Sequence, residues 1–306
     1  MSWFSDILTE IFPLYLISLI GYIAGRFAQI DVKSITTLAI FVISPIVFMI
    51  SISKLDFTAA AVMAPLLTYG LALVVAAVVV RVSKFYLEER TAYLLALSSG
   101  TNNWGYFGIP IAFALFPPEM VAAYIMVGFG MMLFEGSAGL YYISRGHKTP
   151  LESFKNIFRY PTLYAILVGL TLSYFHFELP HYGERFFELF KGAYTVLGMM
   201  IIGLGLSQLD RFRVDVPFTL SAFAVRFLIW PLLAIILIMF DKNIFSLLGD
   251  LYYKPLLLFS VMPLAANNIA FAAQFDMRPG KAAIAVLLST LFALIYVPLA
   301  IWIFDL

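Results

Sequence analysis

The chain has 306 residues, none of them cysteine and only three of them histidine. The absence of cysteine excludes disulfide bonds, thiolate metal sites and cysteine nucleophiles. Charged residues are also scarce, at 12% of the chain against about 25% in a soluble domain. The net charge of +1 gives no electrostatic attraction for nucleic acid. What remains is apolar: hydrophobic residues make up 62% of the chain, more than one soluble core of this size can bury. The sequence therefore indicates a membrane protein.

Apolar segments of about 17–25 residues, long enough to cross a bilayer, follow one another along the whole chain with short charged loops between them. The N-terminal segment starts with two acids and no base, unlike a secretory signal, so we expect it to remain as a helix. We predict about ten spans, near residues 8–25, 35–53, 62–82, 92–116, 120–143, 160–176, 193–208, 217–240, 254–275 and 281–304.

Basic residues are distributed unequally between the two sets of loops. Loops that follow odd-numbered spans hold 13 of the 19 lysines and arginines, and the opposite loops hold five. Cytoplasmic loops of membrane proteins carry the excess of positive charge. This distribution predicts a multi-pass protein of the cell inner (plasma) membrane with both termini outside.

Two of the predicted spans, the fourth and the ninth, contain prolines and a pair of adjacent asparagines. The residues concerned are Asn102, Asn103, Pro110, Pro263, Asn267 and Asn268. Lipid cannot hydrogen-bond a freed amide or carbonyl, so a broken helix survives only where protein encloses it. Broken helices in matching positions of two halves point to the binding site of a secondary transporter. At Pro110 and Pro263 we expect restarting helices whose free N–H groups suit a carboxylate. Each asparagine could bind the substrate or cap the freed backbone.

The two halves of the chain share a pattern. The spacing from Pro13 to Gly21 equals that from Pro161 to Gly169, within similar apolar surroundings. We therefore predict two five-helix repeats, residues 1–150 and 151–306. An odd number of spans inverts the second repeat relative to the first. The alternative is coincidence, since apolar helices draw on few residue types.

Neither broken segment has Asp, Glu, Lys or His within its apolar stretch. Cation–proton exchange needs a titratable carboxylate in the membrane, so we expect an uncharged, dipole-lined site for an anion. A sodium site made of carbonyls and hydroxyls stays open. Glu135 and Arg226 do lie inside spans, both about 15 Å deep, and we predict that they form a buried ion pair. A proton-coupled switch at Glu135, or an arginine reached by the substrate, is the alternative.

Six short motifs are distributed along the chain. They are Asn103-Trp-Gly-Tyr-Phe-Gly-Ile-Pro110, Met262-Pro-Leu-Ala-Ala-Asn267, Phe271-Ala-Ala-Gln-Phe275, Ile43-Ser-Pro-Ile-Val-Phe48, Leu133-Phe-Glu135 and Arg226-Phe-Leu-Ile-Trp-Pro231. With these motifs the chain resembles the auxin efflux carrier family over essentially its whole length. The long cytoplasmic loop and the second-span Asn-Asp-Pro-Tyr motif of the plant members are missing, so the chain looks like a prokaryotic-type permease.

The resemblance implies an all-α fold of ten transmembrane helices in two inverted repeats, similar to sodium/proton antiporters and bile-acid symporters. Spans one, two, six and seven would form a scaffold. Spans three to five and eight to ten would form a moving transport domain. Asn103 and Asn267 would contact the substrate, with Ile109, Pro110 and Pro263 shaping the site and Ser51 lining it from the scaffold. Dimers are common among relatives, so a homodimer is expected.

These observations predict a secondary active carrier of a small organic anion, a mono- or dicarboxylate, that works by an elevator-like movement within the lipid bilayer. The alternatives are a sodium-coupled symporter of the bile-acid type and a non-catalytic membrane receptor, although a receptor would not need two broken helices. We expect no enzyme, metal or cofactor, because the spans contain no catalytic dyad or metal-ligand cluster.

Overall fold

The computed structural model describes residues 2–28, 30–144, 150–159, 161–177, 180–207 and 214–306, and in these ranges the chain is all-helical, with no strand. A short 3₁₀ turn, Asn156–Arg159, precedes α8. The helices, in chain order, are α1 (Ser2–Phe27), α2 (32–53), α3 (Ala59–Ser83), α4 (Glu89–Gly100), α5 (104–115), α6 (Pro118–Ile143), α7 (Pro150–Lys155), α8 (Pro161–Tyr174), α9 (His181–Ser207), α10 (Val216–Phe245), α11 (Asp250–Ser260), α12 (Asn267–Gln274) and α13 (Pro279–Phe304).

Six of these helices, α2, α3, α6, α9, α10 and α13, are long and apolar enough to cross a membrane. The apolar part of α1 and helix α8 are shorter, and the pairs α4–α5 and α11–α12 are the two interrupted segments. The protein is therefore a polytopic, all-helical membrane protein. Every segment predicted as a span overlaps a helix, and the ten-span topology stays a prediction.

The seventh predicted span, residues 193–208, begins too late. Helix α9 starts at His181, a full three turns earlier, and includes the charged residues Glu184, Arg185 and Glu188. Glutamate, arginine and lysine are good helix formers, so the helix continues beyond the apolar stretch. Hydropathy alone locates the membrane-embedded part of a helix and not its ends.

Helices α1 and α9 pack closely along one another, and so do α2 and α8. Glycines permit this approach: a Cβ added at Gly21 of α1 would stand 2.5 Å from the Met200 carbonyl oxygen of α9. A Cβ added at Gly169 of α8 would stand 2.7 Å from the Met49 carbonyl oxygen of α2. Small residues at membrane helix interfaces act in this way.

The remaining helices form a second group around α6, which is the most buried of the six long helices. Thr68 of α3 places its hydroxyl 2.8 Å from the Val127 carbonyl of α6. At the start of α10, the Asp215 carboxylate accepts the Phe218 N–H at 3.0 Å and pairs with Lys281 of α13 at 2.6 Å. Partial burial opposes ionisation of Asp215, but the Lys281 and Phe218 hydrogen bonds hold its pKa below the ordinary value.

Single π-helical turns interrupt several of the long helices. They occupy Ala39–Ile43, Trp104–Gly108, Glu135–Gly139, Val225–Ile229 and Asp241–Phe245. A π turn inserts one residue into the helical spacing and is frequent at functional sites. Four of these five turns adjoin the two broken helices or the cavity beside them, which the next section describes.

Candidate functional site

The first interrupted helix breaks at residues 101–103. Helix α4 ends at Gly100, and Thr101 is extended, with φ −127° and ψ 151°. Helix α5 restarts at Trp104, after Asn103. The expected restart at Pro110 is therefore wrong. Proline clashes with the carbonyl four residues earlier, and here the π turn Trp104–Gly108 absorbs that clash, so Pro110 lies inside the restarted helix.

The second interruption contains Pro263, as expected. Helix α11 ends at Ser260, and α12 restarts at Asn267, so both asparagines of this segment lie in the first turn of the new helix. The backbone between them has no helical structure at residues 262–265. Pro263 and Pro110 are both buried.

The two breaks meet and are joined by three hydrogen bonds. The Asn103 backbone N–H donates to the Pro263 carbonyl at 2.8 Å. The Asn102 side-chain amide donates to the Phe259 carbonyl at 2.8 Å, and the Thr101 hydroxyl lies 2.9 Å from Asn268 Oδ1. These bonds satisfy backbone and side-chain groups that lipid could not. Asn102 and Asn268 therefore hold the crossing together.

Asn103 and Asn267 are arranged differently from their neighbours. The Asn103 side-chain amide nitrogen is buried and has no hydrogen-bond partner among the described residues. Asn267 Nδ2 donates to Glu135 Oε1 at 2.9 Å. Both asparagines line a cavity of about 100 Å³ beside the crossing. Within the described residues, neither side-chain amide nitrogen donates to the other break.

This cavity lies between the two groups of helices. From the crossing it is lined by Trp104, Tyr106 and Asn267, the residues at which the broken helices restart. The first intrahelical donors of α5 are Phe107 and Gly108, so the amides before them stand at its open, electropositive end. On its opposite side the cavity is lined by residues of α2, α8 and α9, namely Ile40, Ser44, Phe48, Thr162 and Tyr194.

Glu135 gives the cavity a carboxylate, which contradicts the expected uncharged site. It lies in the π turn of α6 and contacts Asn267 across the cavity wall. The apolar stretches of the broken segments, residues 92–116 and 255–275, carry no acidic residue. The acid comes from a neighbouring helix, which a search confined to the broken segments could not find.

The predicted ion pair between Glu135 and Arg226 does not form. Arg226 is fully buried, donates to the Ser260 carbonyl at 2.6 Å, and lies over the Trp230 ring with its guanidinium carbon 4.8 Å from the ring centroid. Trp230 in turn donates from Nε1 to the Ser99 carbonyl at 2.7 Å. The similar depths predicted for the two residues do not place them in contact. Glu135 is bound by Asn267, whereas Arg226 contacts Ser260 and Trp230.

Arg226 and Trp230, four residues apart on α10, therefore hold both breaks from one helix. Ser260 is the last residue of α11, and Ser99 is the next to last residue of α4. The C-terminal end of a helix carries free carbonyls and a partial negative charge. A guanidinium at one such end and an indole N–H at the other stabilise the two helix ends that stop at the crossing.

Ser51 and Ile109 do not line the cavity beside the crossing. Ile109 is fully buried in the core. Ser51 lines a second cavity of about 100 Å³ farther along α2, together with Lys54 and Lys191. The hydroxyl of Ser51 has no hydrogen-bond partner in the part of the chain that the structure describes.

Other cavity residues were missed from the sequence. Tyr194 and Thr162 carry no signal that would single them out within apolar helices. Ser44 does carry one, since it stands in the Ile43-Ser-Pro motif, and its hydroxyl donates to the Ala39 carbonyl at 2.8 Å within the π turn. Thr101, whose hydroxyl lies 2.9 Å from Asn268 Oδ1, also has a sequence signal, because it directly precedes the first asparagine pair.

Two comparisons with known proteins agree with this architecture. The model of the family described as membrane transport protein matches residues 147–303, just over half of the chain. An uncharacterized transporter of Methanocaldococcus jannaschii is 24% identical over 97% of this chain and 98% of its own length. The protein is thus a multi-pass membrane transporter, not catalytic in the usual sense. It belongs to the membrane transport protein family, also known as the auxin efflux carrier family.

Proposed function

We propose that the protein is a secondary active carrier of a small organic anion, a mono- or dicarboxylate, which binds beside the crossing. The observation that supports this most directly is the meeting of two restarting helix ends at one cavity, next to the unpartnered amide of Asn103. Helix N-termini favour negative charge, and the Asn103 amide offers hydrogen-bond donors. The substrate carboxylate would accept from both.

The size of the cavity narrows the substrate class. Its volume of about 100 Å³ is well below the 300–1,000 Å³ typical of sites for drug-sized ligands. A short carboxylate fits this space better than an indole-based auxin or a bile acid. We therefore favour a small mono- or dicarboxylate over an auxin-like molecule.

Glu135 adds a coupling step to this proposal. A substrate carboxylate and a charged Glu135 in one enclosed cavity would repel each other strongly. We propose that Glu135 takes up a proton as the anion binds, and that the protonated carboxyl then donates a hydrogen bond. Anion and proton would in this way cross the membrane together.

Two features support the inverted-repeat organisation, with repeats at residues 1–150 and 151–306. Gly21 and Gly169, the glycines that end the matching Pro-to-Gly segments, each contact the backbone of another helix, at Met200 and Met49. The helix pairs are also equivalent in the two halves. Helix α1 of the N-terminal half packs on α9 of the C-terminal half, and α8 of the C-terminal half packs on α2 of the N-terminal half. Ten transmembrane helices in this arrangement are part of the proposal.

The position of the cavities supports an elevator mechanism. The cavity beside the crossing lies between a scaffold of α1, α2, α8 and α9 and a transport group of α3–α6 and α10–α13. The second cavity, at Ser51 and Lys54, lies about 10 Å farther along α2 on the same boundary. A sliding movement of the transport group would carry the crossing from one end of this boundary to the other.

A sodium-coupled symporter of the bile-acid type is the second candidate, and Glu135 favours it as well. Its carboxylate oxygens, together with carbonyls freed by the breaks, are the hard oxygen ligands that small cations prefer. Proton and sodium coupling predict different responses to imposed gradients.

The test is uptake by the purified protein in proteoliposomes. A panel of labelled short mono- and dicarboxylates would be offered under an inward proton gradient, an inward sodium gradient, or neither. We expect proton-driven uptake of at least one of these anions, abolished by Asn103→Ala. Dependence on sodium instead would favour the second candidate. Transport of sodium alone, with no organic substrate, would contradict both proposals.

A further inference from the structure

A third cavity lies away from the crossing, between α1, α9 and α13. Its volume is about 470 Å³, larger than either cavity described above, and apolar side chains such as Leu19, Ile202 and Leu291 form most of its wall. Phe107, just after the first break, closes its inner side. An apolar cavity of this size in a membrane protein has room for a hydrocarbon chain.

One end of this cavity carries a positive charge. Arg26, in the last turn of α1, lines the cavity, and its guanidinium carbon lies 5.6 Å from the centroid of the Tyr22 ring. Within the described part of the chain Arg26 forms no ion pair, and no described acidic residue lines this cavity. A basic residue at the mouth of a pocket between transmembrane helices is suited to an anionic headgroup.

The length of the cavity matches one leaflet of the bilayer. Along α1 it extends from Arg26 to Tyr15, eleven residues or about 16 Å of helix. The hydrocarbon core of a bilayer is about 30 Å thick, so one leaflet accounts for about 15 Å. Arg26 lies in the last turn of α1, and a polar headgroup at that end would place the acyl chain along the apolar part of the helix.

We propose that this cavity binds an anionic phospholipid of the adjacent leaflet. One acyl chain would occupy the apolar slot, and the headgroup phosphate would accept hydrogen bonds from Arg26. The charge contact with Arg26 selects anionic over zwitterionic headgroups. Because the slot separates α1 and α9 from α13, the lipid would fill the space between the proposed scaffold and transport group.

The experiment measures the thermal unfolding midpoint of the full chain purified in detergent, with bound lipid counted by native mass spectrometry. The probes are phosphatidylglycerol, phosphatidylcholine and inorganic phosphate. We expect phosphatidylglycerol to raise the midpoint by roughly 3–6 °C and to remain bound, with little effect of phosphatidylcholine or free phosphate.

Two variants and two matched controls test the assignment. Arg26→Gln removes the headgroup contact, and Leu291→Trp fills the slot; each should abolish the selective stabilisation. Arg81→Gln removes an exposed arginine from the last turn of α3, and Ile303→Trp adds the same bulk at an exposed site of α13 outside the cavity. Both controls should respond to phosphatidylglycerol as the wild type does.

Four results would overturn the proposal. Equal stabilisation by phosphatidylcholine, or an undiminished response in Arg26→Gln, would mean that the charge does not select the lipid. A full response in Leu291→Trp would place the acyl chain elsewhere. Equal stabilisation by inorganic phosphate would identify a site for the free anion.

Discussion

Asn102 and Asn103 are adjacent in the first break and line the same cavity, but their side-chain amide nitrogens differ in hydrogen bonding. The Asn102 amide nitrogen donates to the Phe259 carbonyl of α11, whereas the Asn103 amide nitrogen has no partner in the described structure. The first amide is thus committed to the fold, and the second is available to a ligand. Substitution of Asn102 should therefore affect mainly stability, and substitution of Asn103 should affect mainly binding.

We predict that Asn103→Ala weakens substrate binding by roughly 10–150-fold, the value of one hydrogen bond to a charged group, with little change in the thermal midpoint. Asn102→Ala should do the reverse and lower stability by about 1–3 kcal/mol, because it leaves the buried Phe259 carbonyl without its donor. Ligand titration and thermal unfolding of both variants check this. Equal loss of binding in the two variants, with equal loss of stability, would remove the distinction.

Glu135 is the residue through which transport should depend on pH. The proposed uptake of a proton by its carboxyl predicts that transport by the wild type changes with pH, and that Glu135→Gln, which is always neutral, transports at a rate independent of pH. Glu119→Gln, an exposed position on the same helix α6, is the matched control and should keep the wild-type profile. A wild-type pH profile in Glu135→Gln would rule out the proton role.

The residues of the site could be predicted in part. The asparagine pairs and Pro263 disturb an apolar pattern visibly, so the sequence locates both breaks. The contact of Glu135 with Asn267 joins residues 132 positions apart in the chain, and no local pattern encodes it. The same holds for Arg226. Its position inside a span could be predicted from the sequence, but its hydrogen bond to the Ser260 carbonyl could not.

At the scale of the helix, the ends of α4 and α11 depend on α10. Trp230 donates to Ser99 near the end of α4, and Arg226 donates to Ser260 at the end of α11. The two donors are four residues apart and hence share one helix face. The sequence shows a buried arginine and a tryptophan, but only the packing of α10 against both breaks gives them this role.

We predict that Trp230→Phe lowers the free energy of unfolding by about 1–3 kcal/mol, since the buried Ser99 carbonyl loses its donor while the aromatic packing is mostly kept. Transport should fall as well, because α4 would end less rigidly at the crossing. Trp302→Phe, a half-exposed tryptophan near the end of α13, is the control and should unfold as the wild type does. Thermal unfolding and uptake by both variants test this. A Trp230→Phe protein as stable as the control would mean that the indole N–H does not stabilise the break.

Helix pairing depends on glycines at close contacts. Gly169→Ala should destabilise the α2–α8 pair by about 1–3 kcal/mol, because the new methyl group has no room beside the Met49 carbonyl. Gly205→Ala on α9 is the control, since no described residue outside the local helix backbone lies within 4 Å of a Cβ there. Thermal unfolding of both variants measures the difference. If both unfold alike, the close contact at Gly169 does not limit stability.

The boundaries and irregularities of the helices were harder to predict than their presence. Apolar length locates the spans, but the charged first turns of α9 have no hydropathy signal. Three of the five π turns end two residues before a proline, namely Pro45, Pro110 and Pro231, whereas the turns Glu135–Gly139 and Asp241–Phe245 have no proline shortly after them. Proline predicts a disturbance in the preceding turn, and whether the helix breaks or widens depends on neighbouring helices.

At the scale of the whole molecule, the proposed elevator mechanism depends on the boundary between α1, α2, α8 and α9 and the helices around α6. Both small cavities lie on this boundary, and α1 packs on α9 as α8 packs on α2. The short Pro-to-Gly repeat predicts two inverted repeats, and that organisation stays a prediction. The sequence could not show that the repeat glycines contact the opposite half, because that depends on how the two halves interlock. Homodimerisation and the outward position of both termini stay predictions.

The absence of cysteine makes a direct test of movement possible, because any introduced pair is the only pair of thiols. Ser44→Cys on α2 and Ala266→Cys in the second break line the same cavity from opposite groups. A cleavable bifunctional thiol reagent should therefore link them and stop transport, and reduction should restore it. The control pair is Ser44→Cys with Thr162→Cys, which lines the cavity from α2 and α8. Both helices belong to the proposed scaffold, so a cross-link between them should not prevent the transport group from sliding. Uptake before cross-linking, after it and after reduction separates loss of movement from loss of the site. Undiminished transport by a protein fully cross-linked between Ser44→Cys and Ala266→Cys would mean that the two groups do not slide past one another, and the elevator mechanism would be wrong.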